Sequence, residues 1–357
     1  MLSLVRRLSQ SVWKGENAAG QGGVVLQVDG VTKLFHSRGR RAAVVRATDG
    51  VSISAGVSTT VGVVGESGCG KTTLGRMVAG LVQPTEGTVR VWRRVVGEFV
   101  DPAVERGLVQ MIYQDPTESL DPRLRVDVSV SEPLLSVPRS ERAARVEQAL
   151  ESVGIANLAR RYPHELSGGQ QQRACIARAM VAEPSVVVLD EAVSALDVLL
   201  QVEVLALLQS IQADTRATFL FISHDLAAVR VVADYILVMY LGRIMEVIPR
   251  EEYATDPLHP YTVALQSAEL SQGNLTQGRR IILKGDPPSN TQKYPGCRFA
   301  SRCPAVMTKC LVAEPDLVVV GGGRSVACYY PGILSDSPSS QGVDISSADG
   351  LGLSTDG

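Results

Sequence analysis

The feature that most constrains this 357-residue chain is a glycine-rich octapeptide between an apolar run and a helix-compatible stretch. Residues 65–72 (GESGCGKT) match G-x-x-x-x-G-K-[ST], directly after the β-branched run Thr60–Val64 and at the start of Lys71–Leu81. Backbone N–H groups of such a loop converge on phosphate oxygens, aided by the positive end of the following helix. The pattern predicts that Lys71 reaches the β- and γ-phosphates of a nucleotide and that Thr72 binds Mg²⁺. A chance glycine-rich turn is the alternative, and the context disfavours it.

A second apolar run ends in the carboxylates that phosphate chemistry needs. Val186–Leu189 leads directly into Asp190 and Glu191. A buried strand would deliver Asp190 to the metal ion, and Glu191 could polarise an attacking water. Many strands end in acidic residues, and a kinase or a GTPase could share both motifs. The two motifs therefore predict nucleotide hydrolysis without fixing the reaction class.

Strand-like and helix-like segments alternate along the middle of the chain. Ser185–Leu189 and Ala217–Ile222 are short apolar runs, and Leu199–Ile211 between them has the composition of a helix. Ser140–Val153 also has helical spacing, with alternating charge. The repetition predicts an α/β fold with a parallel sheet.

A third motif, Leu166–Gln170 (LSGGQ), precedes a helical stretch that extends to Val181. Ser, two Gly and a helix N-terminus make a second anion-binding surface by the same backbone logic as the first loop. Because one nucleotide has a single γ-phosphate, a second cradle predicts that the nucleotide lies between two subunits. A turn followed by a capped helix is the simpler interpretation, and it explains the glycines but not the accompanying motifs.

In this series of motifs the chain resembles the ATP-binding cassette (ABC) ATPases, whose signature motif is LSGGQ. The resemblance implies a P-loop NTPase fold with a RecA-like core, an antiparallel β subdomain and a helical signature subdomain. It implies that Gln114 belongs to a Q-loop that senses the γ-phosphate and the membrane partner, and that His224 contacts the γ-phosphate. It also implies that Asp197 faces the opposite subunit and that Phe35 stacks on adenine.

The site residues that follow from the motifs and the resemblance form four groups, with ATP and Mg²⁺ as cofactors. Catalysis is assigned to Glu191, His224 and Gln114, and the metal to Thr72, Gln114 and Asp190. The nucleotide-binding residues are Phe35, Gly65, Ser67, Gly68, Cys69, Gly70, Lys71, Thr72, Thr73 and Asp190. The signature residues that act on the partner's site are Ser167, Gly168, Gly169 and Gln170. The family usually has Pro after the Asp-Glu pair, and this chain has Ala192, for which we expect modest tuning.

Two further stretches narrow the resemblance to the ATP-binding subunits of dipeptide and oligopeptide importers. Gln114–Arg123 is similar to their Q-D-P-x-x-S-L-x-P-R sequence, and Leu258–Thr262 (LHPYT) to their post-core segment. Gly285–Ser289 (GDPPS) and Gly296–Phe299 (GCRF) are similar to the start of their C-terminal extension. The expected partners are a second ABC ATPase subunit (a paralogue in the systems it resembles), two membrane permeases and a substrate-binding protein. The expected location is the cytoplasmic face of the membrane, as a peripheral subunit.

Other functions stay open at this point. Nickel and glutathione importers belong to the same group, and a soluble ABC ATPase acting on nucleic acid or the ribosome is a rival. A non-catalytic cassette subunit is a third alternative, disfavoured by Glu191 and His224. The formal net charge of −2 gives no electrostatic case for nucleic-acid binding. Apolar runs such as Tyr235–Leu241 are far shorter than the roughly 20 residues that span a bilayer.

Four of the six cysteines, Cys297, Cys303, Cys310 and Cys328, lie in one late segment with the spacing C-x5-C-x6-C-x17-C. This is not the C-x2–4-C spacing of zinc knuckles, and structural thiols are the general alternative. Four thiolates suffice for a [4Fe–4S] cluster, with which the family associates this extension. Cys69 and Cys175 are interpreted as small buried side chains.

The domain organisation follows from these motifs. Residues 1–23 are predicted to be a disordered leader, 24–255 the nucleotide-binding domain, and 256–334 the cysteine-containing extension. Residues 335–357 hold no Lys or Arg and many Ser, Asp and Gly, which predicts a disordered tail.

Overall fold

The computed structural model describes residues 23–36, 43–93, 98–102, 107–135, 137–270, 281, 283, 285 and 288–334. The predicted tail and all but the last residue of the predicted leader lie outside them. The chain divides into two compact units, one reaching Ile244 and including Pro288–Gln292, the other comprising Met245–Pro287 and the chain from Lys293 onward. The division lies inside the strand Arg243–Pro249, in which Glu246 and Val247 pair with Val326 and Ser325. The domain boundary after residue 255 stays a prediction.

The secondary structure of the described residues alternates through the first unit and is sparser in the second. The strands are β1 (Val24–His36), β2 (Val44–Gly56), β3 (Thr60–Val64), β4 (Glu86–Arg93), β5 (Glu98–Val100), β6 (Val109–Ile112), β7 (Val186–Asp190), β8 (Thr218–Ile222), β9 (Tyr235–Tyr240), β10 (Arg243–Pro249), β11 (Val318–Gly321) and β12 (Arg324–Val326). The helices are α1 (Lys71–Val78), α2 (Pro116–Ser119), α3 (Val126–Ser131), α4 (Arg139–Ser152), α5 (Gly168–Met180), α6 (Val198–Thr215), α7 (Leu226–Val232), α8 (Arg250–Tyr253), α9 (Pro260–Leu270) and α10 (Thr308–Val312).

A parallel sheet forms the centre of the first unit, in the order β9-β3-β8-β7-β6. Every residue of β3, β7 and β8 is buried, as expected for strands covered on both faces. The predicted α/β architecture is confirmed, and the strands and helices predicted from periodicity are found within a few residues of their expected ends. Because all five strands run the same way, the loops after β3, β6, β7 and β8 lie at one edge of the sheet.

Two further layers complete the first unit. An antiparallel sheet has the order β2-β1-β4-β5, and left-handed Gly30 and Gly50 lie where the β1–β2 pairing shifts register. Helices α2 to α5 pack on one another, with α5 contacting each of the other three. They correspond to the antiparallel and helical subdomains expected beside the core.

In the second unit, β12 pairs antiparallel with both β10 and β11. The buried carboxylate of Glu246 on β10 accepts hydrogen bonds from the backbone N–H groups of Leu258 (2.8 Å) and His259 (3.0 Å), just before α9. The Leu258–Thr262 motif is thus held through its backbone. No helix in the described parts of the chain is both long and apolar enough to cross a bilayer.

Candidate nucleotide-binding site

The loop after β3 is shaped by glycines that no other residue could replace. Gly65 has φ +147°, and a Cβ there would lie 2.1 Å from the Met239 carbonyl oxygen. Gly70 has φ +106°, and a Cβ there would lie 2.0 Å from the Ala47 carbonyl oxygen. Both positions therefore need glycine for conformation and for space. Gly68 (φ +79°) faces open space.

Lys71 begins α1 and is only 7% exposed. Its Nζ donates to the carbonyl oxygens of Gly65 (2.7 Å) and Glu66 (3.2 Å), so the ammonium group lies inside the curve of the loop. Its positive charge has hydrogen-bond acceptors there but no carboxylate among these bonds. A phosphate entering the loop would offer Lys71 charged oxygen acceptors in place of these neutral carbonyl groups.

Thr72 joins the loop to the end of β7. Its Oγ1 lies 3.1 Å from Oδ1 of Asp190, a buried residue. Burial is the main cause that raises the pKa of Asp190, the Thr72 hydrogen bond opposes it, and the neighbouring Glu191 charge adds to the rise. A hydroxyl beside a desolvated carboxylate is an oxygen donor pair suited to Mg²⁺.

Glu191 and His224 come together at the carboxyl ends of β7 and β8. Oε2 of Glu191 and Nδ1 of His224 are 2.7 Å apart. The Glu191 N–H donates to the Ile222 carbonyl oxygen (2.9 Å), and the residue has φ +55° in the left-handed region. Such a backbone conformation in a non-glycine residue costs about 1–3 kcal/mol, and it persists where surrounding contacts enforce it. Ala192, which follows, is buried.

The remaining nucleotide-site residues lie at the same edge or on the neighbouring sheet. Gln114 is exposed two residues after β6, whose Ile112 pairs with Leu189. Thr73 lies in the first turn of α1, and Ser67 is exposed in the loop. Phe35 on β1 is 43% exposed, with the Lys33 ammonium 5.4 Å from its ring centroid.

The signature loop is preorganised by a capping box. The Ser167 side chain accepts from the Gln170 N–H (3.4 Å), and the Gln170 side chain accepts from the Ser167 N–H (2.9 Å). Ser167 and Gly168 are exposed, whereas Gly169 is buried, and a Cβ there would approach Leu200 to 3.1 Å. In the described part of this single chain, no hydrogen bond joins Ser167 to Lys71.

Asp197 has a local role that the sequence analysis did not foresee. Its Oδ1 accepts from the N–H groups of Leu199 and Leu200, both at 3.1 Å, and so caps α6. The residue is exposed, and its contact with an opposite subunit stays a prediction.

The four late cysteines line one small cavity in the second unit, together with aromatic residues that include Phe299 and Tyr330. The Cys297 N–H donates to the Cys310 carbonyl oxygen (2.8 Å). Burial raises the pKa of the Cys297 thiol to about 11 and that of Cys328 to about 12. No group of three or more His, Cys, Asp or Glu side chains in the described residues has a geometry that could hold a metal ion as it stands.

A residue missed by the sequence analysis also contacts the phosphate loop. Asn290 donates from Nδ2 to the Gly68 carbonyl oxygen (2.9 Å), and its own carbonyl oxygen accepts from the Arg46 N–H (3.0 Å). Asn290 is separated from Gly68 by 222 positions, so no local pattern could have found this contact. The only local cue is the Gly285–Ser289 stretch directly before it.

These features define an ATPase of the ABC class, and comparison with known families agrees. The family described as ABC transporter matches residues 48–194. The family described as oligopeptide/dipeptide transporter, C-terminal region, matches residues 245–310. A solved structure of CbiO1 from Clostridium perfringens, part of the ABC transporter complex CbiONQ, is 26% identical with a TM-score of 0.55, covering 64% of this chain and 90% of that one.

Curated relatives of this chain specify the type of ABC transporter to which the family belongs. The oligopeptide transport ATP-binding protein AppF of Bacillus subtilis is 39% identical, covering 85% of this chain and 97% of AppF. The di/tripeptide transport ATP-binding protein DppF of Pseudomonas aeruginosa is 42% identical, covering 81% and 91%. OppF of Salmonella typhimurium, an oligopeptide transport ATP-binding protein, is 42% identical, covering 76% and 84%. The chain belongs to the family of ATP-binding subunits of oligopeptide and dipeptide ABC transporters.

Proposed function

We propose that the chain hydrolyses ATP at the edge of the parallel sheet, with the γ-phosphate beside the Glu191–His224 pair. The observation that carries this proposal is that pair, whose atoms are 2.7 Å apart. Glu191 follows β7 and His224 follows β8, and β8 lies between β7 and β3, the strand that precedes the phosphate loop. Lys71 would exchange the Gly65 and Glu66 carbonyl oxygens for β- and γ-phosphate oxygens. Phe35 would stack on adenine through its exposed ring.

The metal would be held by oxygen ligands already gathered at this edge. Thr72 and Asp190 are in hydrogen-bond contact, and Gln114 follows the neighbouring strand. Mg²⁺ bound there would neutralise charge on the phosphates. It would also offset the burial that disfavours the charged form of Asp190.

Glu191 would act as the general base that activates water. His224 would orient the Glu191 carboxylate and contact the γ-phosphate. General-base assistance contributes about 10²- to 10⁴-fold, so the Glu191→Gln variant is expected to bind ATP normally and lose turnover by that factor. Glu151→Gln, on the exposed surface of α4, is the matched control and should keep full activity. A Glu191→Gln turnover within twofold of the parent would refute the role of Glu191.

The signature loop would complete the site of a second subunit. Ser167 and Gly168 are exposed and capped on their own helix, which leaves their outer surface available to a γ-phosphate from outside the chain. Asp197 would lie at the same subunit boundary. We expect Glu191→Gln to accumulate an ATP-dependent dimer in size-exclusion chromatography, and Ser167→Arg in the same background to abolish it. Co-expression with candidate paralogues would show whether the natural pair is identical or mixed.

The transport assignment is import of di- and oligopeptides. Support comes from the match to the oligopeptide/dipeptide transporter C-terminal region and from relatives named for peptide transport. The subunit would bind two permeases at the cytoplasmic face of the membrane and receive peptide through a substrate-binding protein. In proteoliposomes holding the assembled transporter, peptide-loaded binding protein should stimulate ATP hydrolysis, whereas nickel or glutathione should not. Co-purification with ribosomes or DNA and not with permeases would overturn this assignment.

The late cysteines would hold a [4Fe–4S] cluster. All four cysteines line a single cavity, although the first and the last are 31 positions apart in the sequence and Cys310 lies in helix α10. Such a cluster would cross-link these parts of the chain. Anaerobic purification followed by iron, sulfide and zinc analysis should give four irons and four sulfides per chain, about the stoichiometry of that cluster. One zinc without iron would overturn the proposal.

A further inference from the structure

The phosphate loop is held from outside at two successive carbonyl groups. The Gly242 N–H donates to the Cys69 carbonyl oxygen at 2.8 Å, from the turn between β9 and β10. The Asn290 side chain donates to the preceding carbonyl, that of Gly68, at 2.9 Å. The first contact comes from the core of the same domain, whereas the second comes from a segment much later in the chain.

Holding the Gly68 carbonyl fixes the orientation of one peptide group. In a trans peptide the carbonyl oxygen and the following N–H point in opposite directions, so the Cys69 N–H points away from Asn290. That N–H donates to the Glu66 carbonyl oxygen at 3.2 Å, across the inside of the loop where Lys71 Nζ also bonds. The Asn290 contact therefore aims a backbone donor at the region where a phosphate would lie.

Asn290 is itself anchored on a second element of the site. Its carbonyl oxygen accepts from the Arg46 N–H on β2, and Arg46 is paired with Leu34, next to Phe35. Residues 288–292 form a short turn in which the Ser289 and Thr291 hydroxyls are 2.7 Å apart. Among the described residues, the buried Asn290 Oδ1 has no hydrogen-bond partner, so the side-chain bond of this amide is the one from Nδ2 to Gly68.

We propose that Asn290 is a positioning residue for phosphate binding. It acts by orienting the Gly68–Cys69 peptide group, from a segment that follows the predicted nucleotide-binding domain in the sequence. The inference rests on the proposed nucleotide site and adds a residue to it. Residues 288–292 lie between the two stretches of chain that build the cysteine-containing unit. Chain connectivity thus places a contact to the phosphate loop a few residues from Cys297.

The test measures binding of ATP and of inorganic tripolyphosphate by displacement of a fluorescent nucleotide. Asn290→Ala removes the donor, and near-isosteric Asn290→Asp replaces it with an anion that repels the Gly68 carbonyl. Because Asn290 acts through the loop, both ligands should weaken by the same factor, about 3- to 10-fold for Ala and more for Asp, with KM raised and kcat unchanged. Gln292→Ala, at an exposed position of the same turn, should bind both ligands like the parent, and thermal midpoints should agree within about 2 °C.

Three results would overturn the inference. The first is unchanged affinity in both Asn290 variants. The second is a loss confined to ATP, with tripolyphosphate binding unaffected. The third is an equal loss in Gln292→Ala. Lys71→Ala provides the reference for the site itself. If it leaves tripolyphosphate binding unchanged, the proposed nucleotide site fails. If it weakens binding while the Asn290 variants do not, only the role of Asn290 fails.

Discussion

His259 should make the second unit sensitive to acid well above the pH at which most carboxylates titrate. The residue is 1% exposed, its Nδ1 accepts from the Tyr261 N–H at 3.0 Å, and its ring lies 5.8 Å from that of Phe299. Burial lowers the pKa of His259 from 6.5 to about 3, and a hydrogen bond to the Ala327 backbone only partly opposes the shift. The folded chain therefore holds this imidazole neutral.

The size and sign of the effect follow from the two pKa values. Because the folded pKa lies below the unfolded one, the unfolded chain binds a proton first as the pH falls through 6.5. The stability that the neutral imidazole contributes is complete above pH 6.5 and declines down to about pH 3. Each pKa unit corresponds to 1.36 kcal/mol, so the loss is about 2 kcal/mol between pH 7 and pH 5 and about 4 kcal/mol between pH 7 and pH 3.

The assay compares the parent with His259→Asn, whose amide oxygen can accept from the Tyr261 N–H and does not titrate. Urea unfolding at pH 7, 6 and 5 gives the free energy of unfolding, and hydrogen exchange across α9 reports the second unit specifically. Burial raises the pKa of the neighbouring Glu246, which affects stability in the opposite direction but equally in both proteins. The parent should lose about 2 kcal/mol more than His259→Asn between pH 7 and pH 5. Parallel pH dependences would refute the reasoning.

Three other expectations concern the same structure. Burial raises the pKa of Asp190, and a proton competes with Mg²⁺ for this carboxylate. Lowering the pH from 7 to 5 should therefore weaken Mg²⁺-dependent ATP binding more in the parent than in Asp190→Asn, and isothermal titration calorimetry measures this difference. Gly70→Ala should lose nucleotide binding by more than about tenfold, because its Cβ would meet the Ala47 carbonyl oxygen and φ is +106°; nucleotide displacement checks this. Glu246→Ala should cost about 3–5 kcal/mol in urea unfolding, because it leaves buried N–H groups unpaired beside Arg324, whereas Glu246→Gln should cost less.

A structural feature could be predicted from the sequence when the interactions that determine it are local. The phosphate loop is decided within a few residues, by glycine conformation and by the strand and helix on either side, so its position and neighbours could be predicted. The same holds for Glu191, directly after the buried strand β7, and for His224, two residues after the buried strand β8. Parallel pairing of β7 and β8 then brings the two side chains to 2.7 Å without any further information.

Contacts between distant positions were not predictable in this way. Asn290 reaches Gly68 across 222 positions, and nothing in a serine–asparagine–threonine turn indicates a partner. Glu246 lies between apolar residues of β10, where the pattern gives no reason for a buried carboxylate. This carboxylate accepts hydrogen bonds from the backbone N–H groups of residues 258 and 259, which lie near it only in the folded chain. A motif such as Leu258–Thr262 can thus be recognised in the sequence, whereas the group that binds its backbone cannot.

The single chain already satisfies most groups that the reaction would use, and this determines how the site must be controlled. Lys71 bonds to loop carbonyls, Ser167 to its own helix, and Glu191 to His224. Each partner must be given up or shared when ATP enters, so only the difference between old and new contacts favours binding. For Lys71 that difference is favourable within one chain, because a phosphate replaces neutral carbonyls. For Ser167, in the proposed mechanism, a favourable difference would arise only with a γ-phosphate presented by a second subunit, so we expect the lone chain to bind ATP but to lack a complete hydrolytic site.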